Sequence, residues 1–466
     1  MKFFKYIFIL ILAIFISSKL SLIYCLDGNT NDANISIVSP LNAQQYIISR
    51  PTIKAKLNNS NEINIKSIKF YLNYKDVTND CLIQDDCLTY TPSKKLKRGT
   101  QIVKIEAFDI NKNKIKLEWY FNVGTPKYNH YYGLLHSHTS NSDGKGSFED
   151  AYYTAKFNAK LDFFAITEHS NYFDNDIDST LSRSNSNTWN NLSKVASNYN
   201  SNGKFLALKG FEMTYPYINI ENPIGHINIY NSKGFISTNN PIYSDLKSFY
   251  KAISKEDNII GQFNHPCDIF GRFNNFKYDK YADNVISLIE VCNGYNKNIN
   301  KNKLSFDDYQ KALDCGWHLA PSSNQDNHRE NWGVANEFRT VVLCTDLNES
   351  SFYDSLKNMR VYATQDKNIK IDYTINDSVM GSTINNASNL YFNISVIDTD
   401  LNDKIQKIDI LSNNGKVVAS KQFNSNLAKL EFKLQCLKNS FYYVKVYQKN
   451  NKVSVTAPIW INFNTK

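Results

Sequence analysis

From Tyr128 to about residue 365, apolar runs of strand length alternate with helix-like stretches, and histidines and carboxylates stand directly after the runs. Tyr132 to Leu135 is followed by His136-Ser137-His138-Thr139 and then Ser142-Asp143-Gly144. Leu161 to Thr167 is followed by Glu168-His169, and Ala207-Leu208-Lys209 by Gly210-Phe211-Glu212. Ile259 to Phe263 leads into Asn264-His265-Pro266, Val285 to Ile289 into Glu290-Val291, and Leu319 to Ser323 into Asp326-Asn327-His328. His226 sits inside the short apolar segment Ile224 to Tyr230. Helix-like stretches near Phe148 to Asn158, Leu246 to Ile253 and Phe306 to Leu313 separate some of these runs. Such alternation predicts an α/β region with a parallel sheet or barrel, whose chemistry gathers at the C-terminal ends of the strands.

The flanks read differently. Residues 33 to 124 carry short strand-like runs: Thr52 to Leu57, Ile63 to Leu72 with one slip of phase at Ser67, Ile102 to Phe108 and Ile115 to Phe121. Asn- and Asp-rich turns separate them, which predicts a small Ig-like β-sandwich ending at the linker Gly124-Thr125-Pro126. Residues 369 to 466 return to strands, among them Leu390 to Val396, Ile405 to Leu411, Val417 to Phe423, Leu430 to Leu434 and Tyr442 to Tyr447, and predict a second β-sandwich. All 8 histidines of the 466 residues lie between His130 and His328. Metal or acid–base chemistry therefore belongs to residues 128 to 365, and the flanks are expected to support or attach it.

Residues 1 to 25 read as an export signal. Met1 to Lys5 is basic, and Tyr6 to Ser18 is an apolar run too short to span a bilayer but suited to a signal-peptide core. Leu22-Ile23-Tyr24-Cys25 approaches a lipoprotein signal, with Tyr24 where a small residue is wanted; an uncleaved anchor is the other reading. The body is expected to be exported, either released or held at the cell surface. The net charge of +9 is dispersed and forms no basic run, so it predicts solubility and weak attraction for anions, not a nucleic-acid partner. Of the 8 cysteines, Cys81 and Cys87 are spaced to close a small loop in an oxidising compartment or to remain two thiols. No CxxC pair is present, so a cysteine-based zinc site is not expected.

The strand-end residues favour a metal centre. Residues i and i+2 of a strand point the same way, so His136 and His138 aim at one place, and Asp326 and His328 repeat the spacing. Imidazole and carboxylate ligands suit zinc, manganese or iron. Six histidines and several carboxylates exceed one tetrahedral site, so two or three ions are expected, with a carboxylate such as Glu212 between two of them. His130 precedes the first strand and His318 follows Trp317 in an apolar stretch; both are read as structural. Asp162 and Asp174 are read as solvated or capping.

The same residues carry a resemblance. Leu135-His136-Ser137-His138-Thr139 with Ser142-Asp143-Gly144, Ala165-Ile166-Thr167-Glu168-His169, Gly210-Phe211-Glu212, Asn264-His265-Pro266 and Asp326-Asn327-His328 resemble, in order and number, the PHP (polymerase and histidinol phosphatase) superfamily of metal-dependent phosphoesterases. Gly225-His226 and Ile289-Glu290-Val291 make the chain look most like a secreted branch that includes a carbamate-pesticide hydrolase. The resemblance covers about residues 130 to 365. It implies a distorted (β/α)7 barrel with up to three metals: His136, His138, Glu212 and Asp326 on a first ion, Glu212, His226 and His265 on a second, and Asp143, His169 and His328 on a third. Glu168 replaces the family's usual Asp, and Asn324-Gln325 replaces a small residue before Asp326.

The reaction this predicts is hydrolysis of a small phosphate ester by a metal-bridging hydroxide. Asp326 or Glu168 would handle protons, and Arg272 would hold phosphate oxygens through its bidentate fork. An alternative is hydrolysis of a carboxylic or carbamic ester on the same metals, favoured by an aromatic pocket of Tyr215, Tyr217 and Phe270. A third reading is a non-catalytic surface-binding protein built on the two sandwiches.

Overall fold

The structure, a computed structural model, describes residues 34–463 apart from 47, 125, 126 and 219. The proposed signal segment and Cys25 lie outside the described residues. The chain divides into two compact units, Met1–Thr125 and Pro126–Lys466.

In the first unit, alternation does what it should. The strand Ile53–Leu57 buries Ile53, Ala55 and Leu57 and exposes Lys54 and Lys56. A four-stranded antiparallel sheet (Ile35–Ser39, Ile53–Leu57, Cys87–Tyr90, Leu82–Gln84) and a five-stranded sheet centred on Ile63–Leu72, Gly99–Asp109 and Lys114–Val123 share one apolar core around Trp119 and Phe70. The phase slip at Ser67 is a bulge: the register of Ile63–Leu72 on Gly99–Asp109 shifts between Asn64 and Lys69, and Ser67 Oγ accepts from Phe108 N at 2.8 Å. Cys81 and Cys87 are free thiols. Cys81 Sγ lies 3.3 Å from Val77 O, and burial pushes its thiol up to about 12.

The second unit holds the strands that end on the candidate site: β1 (Asn129–Leu134), β2 (Phe163–His169), β3 (Leu206–Thr214), β4 (His226–Tyr230), β5 (Ile260–Asn264), β6 (Ile286–Asn293), β7 (Ala320–Ser323), β8 (Arg339–Cys344) and β9 (Val361–Thr364). The expected (β/α)7 barrel between two separate sandwiches is not formed. Backbone pairing runs β6-β5-β4-β3-β2-β1-β8-β9, with β7 on the other edge of β6. Only β1–β2, β2–β3, β5–β6 and β6–β7 pair in parallel; β3–β4, β4–β5, β1–β8 and β8–β9 are antiparallel. The sheet then continues without a break, since β9 pairs with Val453–Thr456 and so with the C-terminal strands Ser440–Gln448, Ile405–Ser412 and Val417–Ser425. The molecule is predominantly β, and the region after residue 369 contributes one sheet of its own, Ser378–Val379, Lys370–Ile375, Asn389–Ile397 and Leu427–Gln435, while its other strands extend the central one.

The cause is local. A parallel crossover needs a dozen or more residues, usually a helix. Between β3 and β4 the chain has Pro216 and Pro223 and, among the described residues, no helix, and it turns back to pair antiparallel. Direction is not encoded in an apolar run, which is why the alternation suggested a uniform barrel.

Helices cover the sheet. α1 (Phe148–Tyr153) starts with a Ser147–Asp150 capping box, and α2 (Asn187–Tyr199) is capped by Ser186, with Asp174 accepting from Asn187 N at 2.7 Å and Thr188 N at 3.0 Å. α3 (Leu246–Ile253), α4 (Phe306–Asp314) and α5 (Glu349–Lys357) follow. Among the described residues no helix is long and apolar enough to cross a membrane.

Candidate metal centre

The antiparallel turn of β4 is what places His226. In register, Thr214 at the end of β3 faces His226 at the start of β4, and His226 faces Asn264 at the end of β5. The first residue of β4 therefore stands at the same edge as the last residues of its neighbours, beside Glu212 and His265. At the other side, the loop after β7 lies along the loop after β1. Ser137 bridges Asn327, His138 N donates to Asn327 O at 3.1 Å, and Asp326 N donates to His136 O at 3.2 Å. Distant segments thus converge on one buried edge.

There, buried acceptor atoms crowd together. His136 Nε2 lies 3.1 Å from His138 Nε2, 3.4 Å from Glu212 Oε1 and 3.2 Å from Asp326 Oδ1. His138 Nε2 lies 3.3 Å from Glu212 Oε2 and 3.1 Å from Asp326 Oδ1. Ligands at about 2.0–2.1 Å around a tetrahedral ion stand about 3.3 Å from one another, because the edge of a tetrahedron is about 1.63 times its radius. The separations are close to that edge, but Glu212 turns Oε1 to His136 and Oε2 to His138, so they do not close one tetrahedron; the groups able to share an ion are His136, His138 and Glu212, and His136, His265 and Asp326. His136 Nδ1 sits 2.9 Å from Glu290 Oε1, which fixes its proton on Nδ1 and turns the lone pair of Nε2 inward. Glu212 Oε2, Asp326 Oδ1, His226 Nε2 and His265 Nδ1 are buried with no hydrogen-bond partner. Buried polar atoms are normally paired, and these four unpaired atoms belong to residues whose groups are able to hold metal ions.

Further sets extend the cluster. Glu212 Oε1 is 3.3 Å from His226 Nδ1 and 3.5 Å from His265 Nε2. Asp143 Oδ1 is 3.1 Å from His328 Nε2 and 3.4 Å from His169 Nε2. His138 joins the Asp143, His169 and His328 set, and His265 joins His136 and Asp326. These buried histidine–carboxylate clusters are able to hold metal ions. All nine residues singled out as ligands from the sequence, His136, His138, Asp143, His169, Glu212, His226, His265, Asp326 and His328, belong to them.

Electrostatics agree. Burial opposes charge on Glu212 and Asp326, yet the surrounding histidines outweigh it and hold both carboxyls well below their ordinary range. Burial likewise opposes charge on His169 and His328, but Glu212 and Asp143 raise His169 to about 10, and Asp143 and Asp326 raise His328 to about 9. Burial wins at His226, whose pKa is lowered. Two cluster residues sit on strained backbone, His265 with φ 27° and Asp326 with φ 47°. Such strain persists where the surroundings over-determine it.

The other candidates separate. Glu168 is fully buried, and its oxygens accept from Thr139 N at 2.8 Å, from Thr139 Oγ1 at 2.5 Å and from Ser142 Oγ. It ties the loop of His138 in place. Asp326 keeps 20% of its side chain exposed against 0% for Glu212 and Glu290, so it is the inner carboxylate in reach of water. Arg272 is paired with Asp308, Nε to Oδ1 at 2.6 Å, and with Asp268, in the wall of a separate cavity of about 650 Å³ that no cluster residue lines. Tyr217 and Phe270 do pack on the cluster. Phe270 lies 5.3 Å from the His226 ring and 4.7 Å from the His265 ring, and Tyr217 lies 5.7 Å from His226. Tyr215 is buried away from it, donating to Tyr243 O at 3.2 Å. His130 is held by Asp372 at 3.0 Å and His318 by Asp283 at 2.9 Å, both outside the cluster. Asp162 is half-buried: it accepts from Tyr132 N at 2.7 Å, and burial raises it to about 6.

Sequence reasoning gave Glu290 no role. It accepts from His136 Nδ1, His265 N, Asn324 Nδ2 and Asn293 Nδ2, each at 2.9 Å, and so ties three segments of the cluster to one another. The signal was present: a carboxylate inside the buried run Ile286–Asn293 needs partners. Asn324, one of the departures from the resembled pattern, also accepts from Leu135 N at 2.7 Å.

No protein-family model matches this sequence, and no curated protein matches it. Among solved structures, CopC from Methylosinus trichosporium OB3b is 16% identical over 19% of this chain and 90% of its own, with a TM-score of 0.16. Fibronectin(III)-like modules of CbhA from Clostridium thermocellum are 8% identical over 92% of this chain and 93% of theirs, with a TM-score of 0.17. SGBP-B of the Bacteroides ovatus mixed-linkage glucan utilization locus is 10% identical over 93% of this chain and 71% of its own, with a TM-score of 0.16. None of these superpositions defines a common fold.

Proposed function

We propose that this chain is an exported metal-dependent hydrolase of phosphate esters, with two or three divalent ions (zinc, manganese or iron) in the cluster around Glu212. The observation that carries it is the crowding of His136, His138, Glu212 and Asp326, whose ligand atoms approach one another at 3.1–3.4 Å in overlapping groups able to hold metal ions. The motif series that resembles the PHP superfamily supports it through its ligands, not through a barrel. Divalent ions at such a centre lower the pKa of bound water and polarise an ester oxygen.

The chain's own residues do the rest. Glu290 holds His136 in the tautomer that offers Nε2, and Thr214 Oγ1 holds His169 through Nδ1 at 2.6 Å. Asp326, partly open to water, exchanges the proton that hydrolysis releases; Glu168 has no free oxygen for it. Arg272, committed to Asp308 and Asp268, does not hold the phosphate. Purified protein supplied with manganese or zinc is expected to hydrolyse p-nitrophenyl phosphate, and His136→Ala or Glu212→Ala to abolish it. Undiminished activity in either variant contradicts the reading.

One observation favours a second reading, hydrolysis of a neutral carboxylic or carbamic ester: the Tyr217 and Phe270 rings standing against His226 and His265. Naphthyl acetate and naphthyl phosphate assayed side by side separate the two.

A further inference from the structure

With Arg272 committed elsewhere, the phosphate-ester reading lacks a group for the anion, and the rim of the centre offers two. Arg329 directly follows the cluster residue His328, and Lys145 is two residues beyond Asp143. His328 Nε2 and Asp143 Oδ1 are 3.1 Å apart, so the two segments that carry these cations meet at one side of the cluster. Both are exposed, and neither has a carboxylate within ion-pair distance among the described residues. Arg329 N is tied to Asn327 Oδ1 at 2.8 Å, and its guanidinium rests on the Tyr295 ring, 5.2 Å from the centroid. Tyr295 follows the end of β6, at the same edge of the sheet. A guanidinium stacked on an aromatic face keeps its N–H edge free and loses little freedom when it binds an anion. The neighbouring carboxylate, Glu330, packs along Gly146. The side formed by His226 and His265 carries the half-buried rings of Tyr217 and Phe270, 4.8 Å apart, and the arginine near it, Arg272, is already paired with Asp308 and Asp268.

We propose that Arg329 and Lys145 receive the acid group and that Tyr217 and Phe270 receive the leaving group, so that the substrate is a phosphate monoester of a flat, aromatic alcohol. This rests on the hydrolase reading above. Water supplies the oxygen of the new P–O bond, the bond from phosphorus to the aryl oxygen breaks with its electron pair going to that oxygen, and a proton converts the phenolate to the phenol beside inorganic phosphate.

The test uses full-length, metal-loaded wild type, Arg329→Gln and Phe270→Ala, with metal content measured for each. The probes are p-nitrophenyl phosphate, p-nitrophenyl acetate and inorganic phosphate as a competitive inhibitor. Arg329→Gln is expected to raise KM for the phosphate ester and Ki for inorganic phosphate about tenfold, as loss of a charge-assisted hydrogen bond does, with p-nitrophenyl acetate unaffected. Phe270→Ala is expected to raise KM for both p-nitrophenyl esters about three- to tenfold and to leave Ki for inorganic phosphate unchanged. Unaltered metal content in both variants keeps these effects apart from loss of the centre. A wild type that cleaves p-nitrophenyl phosphate while Arg329→Gln matches it on phosphate overturns the rim alone. A wild type that binds no metal or cleaves neither ester overturns the hydrolase reading and the rim with it.

Discussion

Each oxygen of Glu212 faces imidazole nitrogen, with His136, His226 and His265 on Oε1 and His138 and His169 on Oε2. A carboxylate so placed is kept ionised by its neighbours despite complete burial, and its charge is the one the cluster is arranged around. Glu290 acts at one remove. Glu290→Gln keeps the volume and one acceptor but removes the charge that opposes His136 Nδ1, so zinc affinity in a chelator-competition titration should fall about 10–100-fold while circular dichroism stays unchanged. Unchanged affinity would mean that Glu290 only packs. Asp162 makes a separate prediction. Its folded pKa of about 6 lies above the ordinary value for an aspartate, so the stability it contributes is complete below pH 4 and is lost as pH rises through 6. Asp162→Asn should therefore stabilise the protein by about 1–2 kcal/mol at pH 8, allowing for the carboxyl's partial exposure, and by almost nothing at pH 4. Urea unfolding at both pH values checks the sign. Most cluster residues were legible in the sequence because they follow an apolar run, with His226 inside one, and carry a chemistry that a core does not need. Arg272 misled because charge alone does not show a partner: Asp308, 36 residues away, claims it.

At the scale of elements, strand positions were legible and strand direction was not. The segment Ile405–Ser412 begins where its apolar run begins, and Leu246–Ile253 forms the helix its spacing predicts. The antiparallel β4 was invisible, because a five-residue apolar strand reads alike in either direction. So were α2 and α5, whose polar faces hide the periodicity of Trp189, Leu192 and Val195 or of Phe352 and Leu356. Close backbone approach is a further element-level property. A Cβ on Gly133 of β1 would stand 2.1 Å from Phe163 O on β2, and neither strand can retreat without breaking the pairing that carries His136 and His169. Gly133→Ala should cost about 3 kcal/mol and weaken metal retention together. Gly203, with open space around it and φ +78°, should lose only about 1 kcal/mol on the same change, from backbone strain alone. Equal losses in denaturant titrations of the two variants would refute the packing argument.

At the scale of the molecule, among the described residues all the metal-competent groups around Glu212 lie in the unit Pro126–Lys466 and none in Met1–Thr125. Binding energy at the centre should therefore stabilise one unit only. At metal concentrations about 100 times the dissociation constant the second unit gains about 2.7 kcal/mol, so a chelator should lower the thermal transition of residues 126–466 and leave that of the first unit in place, as hydrogen exchange resolved by peptide would show. The low sequence resolution of the fold has a whole-molecule cause as well: the central sheet and the C-terminal strands are one continuous sheet through β9 and Val453–Thr456, a pairing between residues some 90 apart that no local pattern announces. The central claim, that the buried ring around Glu212 exists to hold metal, is tested most directly by metal content. Protein equilibrated with zinc or manganese, desalted and analysed by mass spectrometry should retain at least two ions per chain, and the His136→Ala, Glu212→Ala double variant fewer; a wild type that retains none would contradict it.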